Sequence, residues 1–358
     1  MKDISSNRGR RVPRDRYQGD YENAKHGKKR KKFRTRKQKV VKAIVIILVI
    51  LLLLGVGAYF FFTSTIGLNK DSVNILVCGI DNEKGRSQMN SDVMMVVNLD
   101  VKQKKVSILQ IPRDTWVGPQ ETYYGKINGI FARSESGGIK GLAKYLKSNL
   151  KIDIDHYATV TMDTFIEVID GIGGVEMDVP ATIKWEGVKV KKGKQNLTGR
   201  QAQIFVRKRK GADVANNPNY KDGDMSRIKM QRLFMAAFAK EMKSLNFFEL
   251  INVVQTALPN IKTDISLNEA RMYANFLRGV KLNEMTIRML PGKATTAYPN
   301  GVYQSVYSLH KKQTVKMLNK YFRPHSPKIT EADVNILEIQ NQTPDYNDTE
   351  QTFGELAS

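Results

Sequence analysis

The feature that most constrains this chain is an uninterrupted apolar run of twenty residues, AIVIILVILLLLGVGAYFFF, at positions 43–62. A helix rises about 1.5 Å per residue, so the run matches the roughly 30 Å hydrocarbon core of a bilayer. A buried helix of a soluble protein would show a polar face, and a cleaved signal peptide usually has a shorter apolar region that ends at small residues. We therefore predict an uncleaved transmembrane helix, a signal anchor, at 43–62.

Positive charge is concentrated just before this run. Residues 1–42 hold 17 Lys and Arg against 4 Asp and Glu, a net +13 out of +23 for the whole chain. The first basic residue after the run is Lys70. The positive-inside rule predicts a single-pass protein with a cytoplasmic tail at 1–42 and an external part from about residue 63. A nucleic-acid patch is the alternative, but topology and attraction to anionic membrane lipids explain the run more simply.

Cysteine, histidine and motif content exclude several classes of site. The single cysteine, Cys78, excludes an internal disulfide framework, a zinc ribbon and a CxxC redox motif. Four scattered histidines argue against a His/Cys metal centre. Neither a GxSxG nor an HExxH string occurs, so hydrolysis by a nucleophilic triad is not indicated.

The predicted external part alternates strands and helices. Strand patterns occupy 73–80, 92–99 and 105–111, and helical patterns occupy 139–149, 161–170 and 225–244. This alternation predicts an α/β or mixed α+β sheet domain.

Composition suggests where this domain begins and ends. We expect a linker at 63–72, the domain at 73–258, and either the rest of that domain or a small accessory region at 259–326. The last segment, 327–358, holds seven acidic residues and one lysine, with few large apolar groups after Ile339. This composition predicts a disordered tail.

Two acidic residues bracket the loop after the first predicted strand. Asp81 follows that strand and Asp92 starts the next, so the loop between them could bring both to one edge of the sheet. Mg²⁺ binds oxygen ligands, usually one or two carboxylates together with water and phosphate oxygens. Two aspartates at one edge could hold such a cation, although both could also be ordinary turn or helix-cap residues.

Basic side chains recur at further strand ends and turns. Arg113 and Asp114 follow the third predicted strand, and Lys126 lies in the next turn. Arg207 and Arg209 are two residues apart, which would place both on one face of a strand, opposite Lys208. A further set, spaced to share one helix stripe, is Asp224, Arg227 and Gln231. Arginine makes bidentate contacts with phosphate, so a diphosphate pocket is one interpretation and a solvated basic surface is the other.

Seven ordered blocks between about residues 74 and 231 resemble the LytR-CpsA-Psr family of cell-wall enzymes. The blocks are NILVCGID at 74–81, SDVMMV at 91–96, IPRDT at 111–115, KIN at 126–128, GIGGVEMDVP at 171–180, GKQNLTGRQA at 193–202 and GDMSRIKMQ at 223–231. The basic tail and single anchor are also similar to that family.

The resemblance implies a mixed central sheet flanked by helices and an extracytoplasmic phosphotransferase at a Gram-positive-type cell surface. Such an enzyme takes a teichoic acid or capsular polysaccharide from a polyprenyl diphosphate carrier and joins it to peptidoglycan, with Mg²⁺ (or Mn²⁺) as cofactor. Asp81 and Asp92 would position the metal. The residues implied to hold or orient the diphosphate are Arg113, Lys126, Arg207, Arg209, Arg227 and Gln231, together with Asp224 of the same block.

The sequence leaves open one phosphate contact, the proton acceptor and the exact function. The family often has Arg-Ser-Asp where this chain has Asn90, Ser91 and Asp92, so one phosphate contact is missing or supplied by Arg86. Asp92 and Asp114 are both candidates for the base that accepts the hydroxyl proton. A polyprenyl diphosphatase, or a regulator that binds polyprenyl phosphate or attenuates transcription without transferring anything, would be the alternative function. The sequence indicates no oligomeric state.

Overall fold

The computed structural model describes residues 70–80, 91–133, 137–221, 223–339 and 350–357. The predicted tail at 1–42, the predicted transmembrane helix at 43–62, and most of the predicted linker lie outside these ranges. Within the described part of the chain, no helix is both long enough and apolar enough to cross a membrane.

A seven-stranded mixed sheet forms the centre of the domain. Its strands are β1 Ser72–Ile80, β2 Ser91–Asp100, β3 Lys105–Ile111, β4 His156–Thr161, β9 Lys262–Thr263, β10 Met285–Met289 and β13 Gln351–Thr352. They lie in the order β13-β10-β3-β2-β1-β4-β9. β2 runs antiparallel to both β1 and β3, whereas β1–β4 and β3–β10 are parallel pairs. Because β10 pairs with β3, residues 259–326 contribute to this same sheet.

Three two-stranded ribbons accompany the sheet. They pair β5 Val175–Val179 with β8 Gly193–Leu197, β6 Ile183–Trp185 with β7 Val188–Val190, and β11 Gly292–Ala297 with β12 Gln304–Leu309. The helices of the described residues are α1 Asn128–Phe131, α2 Gly138–Leu150, α3 Met162–Gly171, α4 Gly199–Arg207, α5 Asp224–Ser244, α6 Phe247–Ala257, α7 Leu267–Gly279, α8 Lys311–Tyr321 and α9 Phe353–Leu356. The predicted sheet domain with flanking helices is confirmed.

Both faces of the sheet are covered, as the alternation of β1 shows. Leu76 and Cys78 point into a cluster with Leu142 and Leu146 of α2, whereas Val73 and Ile75 point into a cluster with Tyr273 of α7. Side chains of a strand alternate between its two faces, so a strand buried on both sides is apolar throughout. This explains why β1 reads as a continuous apolar run.

Helix α5 connects all the core clusters. Ile228 packs in the cluster with Leu76, Ala236 packs in the cluster with Val73, and Met230 and Phe234 pack in a third cluster built on α4 and β5–β8. Such a helix is apolar on several sides, which fits contact with other elements all around it. The residues at its first turns are thereby held rigidly beside the sheet.

The predicted disordered tail at 327–358 is wrong for its described parts. Val334 and Ile336 are buried in the core cluster of α2 and α8, and Asn335 N–H donates to Asn149 O at 2.9 Å. Thr352 pairs with β10, and Phe353 is buried. A few well-spaced apolar residues suffice to fix an acidic segment once a groove exists to receive them, and composition averaged over the segment hides them.

Candidate diphosphate site at one edge of the sheet

Three strand ends meet where the sequence predicted a site. Ile80 at the end of β1 pairs with Ser91 at the start of β2, and Met94 of β2 pairs with Ile111 at the end of β3. The antiparallel register therefore brings Asp92 and Arg113 to the same edge of the sheet. Arg113 Nη1 donates to Asp92 Oδ1 at 2.8 Å.

A chain of charges continues from this pair along the edge. Arg113 Nε lies 3.8 Å from Asp114 Oδ2, and Lys126 Nζ lies 3.0 Å from Asp114 Oδ1. Lys126 is held there by its backbone, because Ile127 N–H donates to Thr115 O at 2.9 Å. The structure thus brings together four of the predicted residues in the order Asp92, Arg113, Asp114 and Lys126.

The first turns of α5 supply the opposite wall. Arg227 is only 5% exposed, and Gln231 lies one turn further along the helix, where its Nε2 donates to Val206 O at 3.3 Å. Between α5 and the strand ends lies an open cavity of about 10 Å³, which is room for about one water molecule. Its lining includes Asp92, Gln110, Arg113, Arg227 and Gln231.

Asp92 is the electrostatic centre of the site. Burial alone would raise the pKa of this carboxyl. The hydrogen bond from Arg113 and the positive charges of Arg113, Arg227 and Arg209 outweigh burial, so the pKa of Asp92 lies below its usual value of 3.8. Asp92 is therefore an anion surrounded by three arginines, and the surplus of positive charge favours a further anionic group.

The prediction that Arg207 and Arg209 lie on a strand is wrong. Arg207 is the last residue of α4, which begins with a capping box between Thr198 and Gln201, and Lys208 follows the helix in an extended conformation. The Ser/Thr-x-x-Glu/Gln signature of that box indicates a helix start. The prediction relied instead on the two-residue spacing of the arginines, which is typical of a strand face. Lys208 is buried rather than opposite the arginines on a strand face.

The two arginines also have different surroundings. Arg209 acts on Asp92 through its charge. The guanidinium of Arg207 stacks over Trp185, with Cζ 5.1 Å from the ring centroid, and its Nη1 lies 3.8 Å from Glu186 Oε1. Arg209 therefore belongs to the Asp92 cluster, and Arg207 contacts the turn between β6 and β7.

The remaining predicted residues are Asp81, Arg86 and Asp224. Asp81 and Arg86 lie outside the described residues, and so does Asn90. Asp224 begins α5 directly after Gly223, whose φ of +57° suits glycine. Among the described residues, no group of three or more His, Cys, Asp or Glu side chains is arranged to hold a metal ion.

Gln110 and Arg232 are two site residues that the sequence reading missed. Gln110 is buried in β3 and lines the cavity, and its Oε1 accepts a 2.6 Å hydrogen bond from Arg232 Nε. Arg232 Nη1 in turn donates to Gln351 Oε1 of β13 at 3.2 Å. The available signal was a polar residue between the apolar residues of ILQI at 108–111.

Comparison with known proteins identifies the family of the chain. The model of the LytR_cpsA_psr family matches residues 20–323. The chain belongs to the LytR_cpsA_psr family. The family match therefore extends well beyond the seven sequence blocks, and it includes the region that follows α5.

Individual relatives within the LytR_cpsA_psr family cover much of the chain. It is 27% identical over 289 residues to polyisoprenyl-teichoic acid--peptidoglycan teichoic acid transferase TagV of Bacillus subtilis (strain 168), covering 78% of this chain and 68% of that protein. It is 32% identical over 203 residues to the TagU transferase of Bacillus mycoides (strain KBAB4), covering 56% and 62%. The crystal structure of B. subtilis TagV superposes with a TM-score of 0.60 at 26% identity, covering 71% of this chain and 98% of that one.

Proposed function

We propose that this protein is a phosphotransferase that moves a teichoic acid type of glycopolymer from a polyprenyl diphosphate carrier to peptidoglycan. The observation that carries the proposal is the ionised Asp92 set among Arg113, Arg209 and Arg227 at one sheet edge. Its support from relatives is that TagV and TagU bear the name of teichoic acid transferases.

The arginines suit a diphosphate for a geometric and an electrostatic reason. A guanidinium presents planar pairs of N–H donors that match two phosphate oxygens, and it stays protonated. Arg227 is almost fully buried, and charges act more strongly where water is excluded. These groups would hold the donor and stabilise the charge that develops on the transferring phosphoryl group.

The cofactor that we propose is a divalent cation. We propose Mg²⁺, or Mn²⁺, held by Asp92 and Asp81 together with diphosphate oxygens, since one or two carboxylates plus phosphate oxygens are a usual Mg²⁺ environment. When bound, the ion would neutralise charge on the phosphates. The arginines around Asp92 disfavour a bare cation, so we expect the metal to bind together with the donor.

The transfer itself exchanges one P–O bond for another. An acceptor hydroxyl oxygen on peptidoglycan would attack the phosphorus that carries the glycopolymer, and the bond to the other phosphate would break, releasing polyprenyl phosphate. The hydroxyl proton would pass to a carboxylate. We assign this proton to Asp114, which Arg113 and Lys126 hold in place at the same edge as Asp92.

The proposed function also requires a location for the domain and a class of polymer. We propose a single membrane span at 43–62, with the described domain on the external face of the membrane, because the basic tail precedes the apolar run. The proposed neighbours are membrane lipids, peptidoglycan and the lipid-linked donor. Capsular polysaccharide is the second polymer that the predicted activity would accommodate.

The decisive experiment measures transfer by the purified full chain in detergent. Labelled lipid-linked glycopolymer and wall fragments are supplied at several Mg²⁺ concentrations. Arg113→Lys and Arg227→Lys should each reduce transfer by roughly 100-fold, because they keep the charge but lose the two-pronged contact. Arg133→Lys is the matched control, since Arg133 makes a half-exposed ion pair with Glu121 and does not line the cavity.

Other outcomes would identify the alternative functions. Label released as free polymer without an acceptor would indicate a diphosphatase. Tight donor binding by the wild type with no turnover at any Mg²⁺ concentration would indicate a non-catalytic regulator. Full transfer by both Arg113→Lys and Arg227→Lys would show that the clamp assignment is wrong.

A further inference from the structure

Exposed tyrosines are concentrated beside the charged edge. Tyr123, Tyr124, Tyr298 and Tyr303 are 62%, 51%, 67% and 59% exposed. They form two edge-to-face pairs, with ring centroids 4.8 Å apart for Tyr123–Tyr124 and 5.6 Å apart for Tyr298–Tyr303. We call these four residues, with the adjacent exposed Val302, the tyrosine platform.

Two turns carry the platform, and they are joined to each other. Tyr123 and Tyr124 occupy the tip of a tight turn closed by Gly125 N–H donating to Thr122 O at 2.8 Å. The other pair flanks the turn between β11 and β12, where Asn300 has a left-handed backbone. Asn300 Nδ2 donates to Tyr123 O at 3.0 Å, which ties one turn to the other.

Close packing fixes the first turn. Gly125 has a φ of +67°, and a Cβ at this position would lie 2.1 Å from the Trp116 ring, so the backbone rests directly on the indole. Thr122 Oγ1 also donates to Lys126 O at 2.9 Å. A rigid turn loses little conformational entropy when its exposed rings bind a ligand.

Backbone hydrogen bonds join both turns to the segment at 114–117, which begins with the site residue Asp114. Tyr307 N–H of β12 donates to Asp114 O at 2.8 Å, and Val117 N–H donates to Gly125 O at 2.8 Å. Tyr124 is two residues from Lys126, a backbone separation of at most about 7 Å. The platform therefore lies next to the Asp114 and Lys126 end of the charged edge.

We propose that the tyrosine platform binds the glycan strand of peptidoglycan and presents its hydroxyl to the site, an inference that rests on the proposed function. Aromatic faces carry negative charge density, and the C–H groups on one face of a pyranose ring pack against them. Exposed phenolic hydroxyls can hydrogen-bond to sugar hydroxyls. A row of linked pyranose rings offers both kinds of contact.

The chemistry of the platform disfavours two other occupants. None of its five residues carries a charge. A teichoic acid is a polyanion, and an anionic membrane surface is recognised by clustered Lys and Arg. Two cations close to the first turn are already paired, Lys126 with Asp114 and Arg133 with Glu121. The uncharged aromatic surface therefore fits an aminosugar chain better than it fits either anionic partner.

The test is co-sedimentation of the detergent-solubilised full chain with wall sacculi stripped of teichoic acid. The double variants Tyr123→Ser/Tyr124→Ser and Tyr298→Ser/Tyr303→Ser should each weaken binding by roughly tenfold. The double variant Tyr123→Phe/Tyr124→Phe keeps the rings and should bind within about threefold of the wild type. Phe248→Ser is the matched control, because Phe248 is an 81% exposed aromatic residue on α6, outside the platform.

Three results would overturn the inference. Unchanged sedimentation of both serine variants would remove the glycan assignment. Lost binding to phosphatidylglycerol vesicles with unchanged sacculus binding would identify a membrane surface, and lost self-association in size exclusion would identify a second copy of the chain. The assay needs neither donor nor turnover, so a wild type that binds sacculi through the platform but transfers nothing contradicts the proposed function alone.

Discussion

At the scale of single residues, the site is defined by how charge is balanced around Asp92. Its carboxylate receives a hydrogen bond from Arg113 and lies in the field of two further arginines, which together outweigh the effect of burial on its pKa. A group whose pKa is lower in the folded than in the unfolded chain stabilises the fold when it is ionised. Asp92 therefore stabilises the fold as well as organising the arginines.

This electrostatic role predicts a pH-dependent effect of Asp92→Asn. The stabilising contribution of Asp92 is fully present above its unfolded pKa of about 3.9 and is lost as pH falls through the lower folded pKa. Asp92→Asn should thus be less stable than the wild type at pH 7, and the difference should shrink as pH falls below about 4. Urea unfolding at a series of pH values measures this.

A charge-matched control is Asp178→Asn, because Asp178 is exposed on β5. Its difference from the wild type should stay small at every pH, as expected of an exposed surface charge. A constant difference between Asp92→Asn and the wild type from pH 7 to pH 3 would contradict the ionised pair.

Sequence reasoning located most of this site because strand ends are recognisable from apolar runs. The aspartate and the arginine that meet at 2.8 Å are adjacent to such runs, at Asp92 and Arg113. Gln110 was missed because its role depends on Arg232, which is 122 residues away in the chain. A contact of this kind is set by how α5 packs on the sheet, and no local pattern encodes it.

At the scale of secondary structure elements, α4 is a case in which residue spacing in the sequence predicts a strand and the structure has a helix. Buried apolar residues from Ala202 to Val206 are compatible with a short strand or a short helix. The capping box at Thr198 resolves the ambiguity in favour of a helix. The long helices α2, α3 and α5 lie where they were predicted, because they have clearer spacing and greater length.

The corrected geometry reverses the expectation for Lys208. On a strand face opposite the arginines, Lys208→Ala would be tolerated, whereas in the structure Lys208 Nζ lies 2.8 Å from Asp213 Oδ1 and its side chain is 7% exposed. Burial alone would raise the pKa of Asp213, but its bonds to Lys208 and to Lys184 N–H hold that pKa low. Removing one partner of a buried pair is costly, so Lys208→Ala should lower the free energy of unfolding by about 3 kcal/mol.

Denaturant unfolding of Lys208→Ala tests this geometry, with Lys210→Ala as the control because Lys210 is exposed two residues later. The control should change stability by at most about 0.5 kcal/mol. Equal stabilities for the two variants would support the strand interpretation instead.

At the scale of the whole molecule, the predicted topology is asymmetric. A net +13 precedes the apolar run, and the described domain follows it. Proteases added to intact cells without their wall should digest residues beyond 63 and leave the tail at 1–42 protected. Mass spectrometry of the surviving peptides measures this, and digestion of the tail would reverse the orientation and remove the wall-enzyme proposal.

The last described segment of the chain belongs to the same fold as the charged edge around Asp92. Glu350 forms a 2.7 Å ion pair with the buried Arg288 of β10, and Gln351 binds Arg232, which in turn holds Gln110 at the cavity. Phe353 follows β13 and packs in the core cluster with Ile287 of β10. An acidic composition therefore conceals an anchored segment that helps position the site.

This anchoring predicts a large effect at Phe353. The residue is 3% exposed, so Phe353→Ala should lower the free energy of unfolding by about 3–4 kcal/mol through lost burial and the cavity left behind. Phe248 has the same side chain at 81% exposure, and Phe248→Ala should change stability by at most about 0.5 kcal/mol. Chemical unfolding of the two variants distinguishes the possibilities, because a disordered C-terminal segment predicts that both substitutions are silent. If the segment is anchored, Phe353→Ala should also weaken transfer, since Gln351 would no longer hold Arg232 against Gln110.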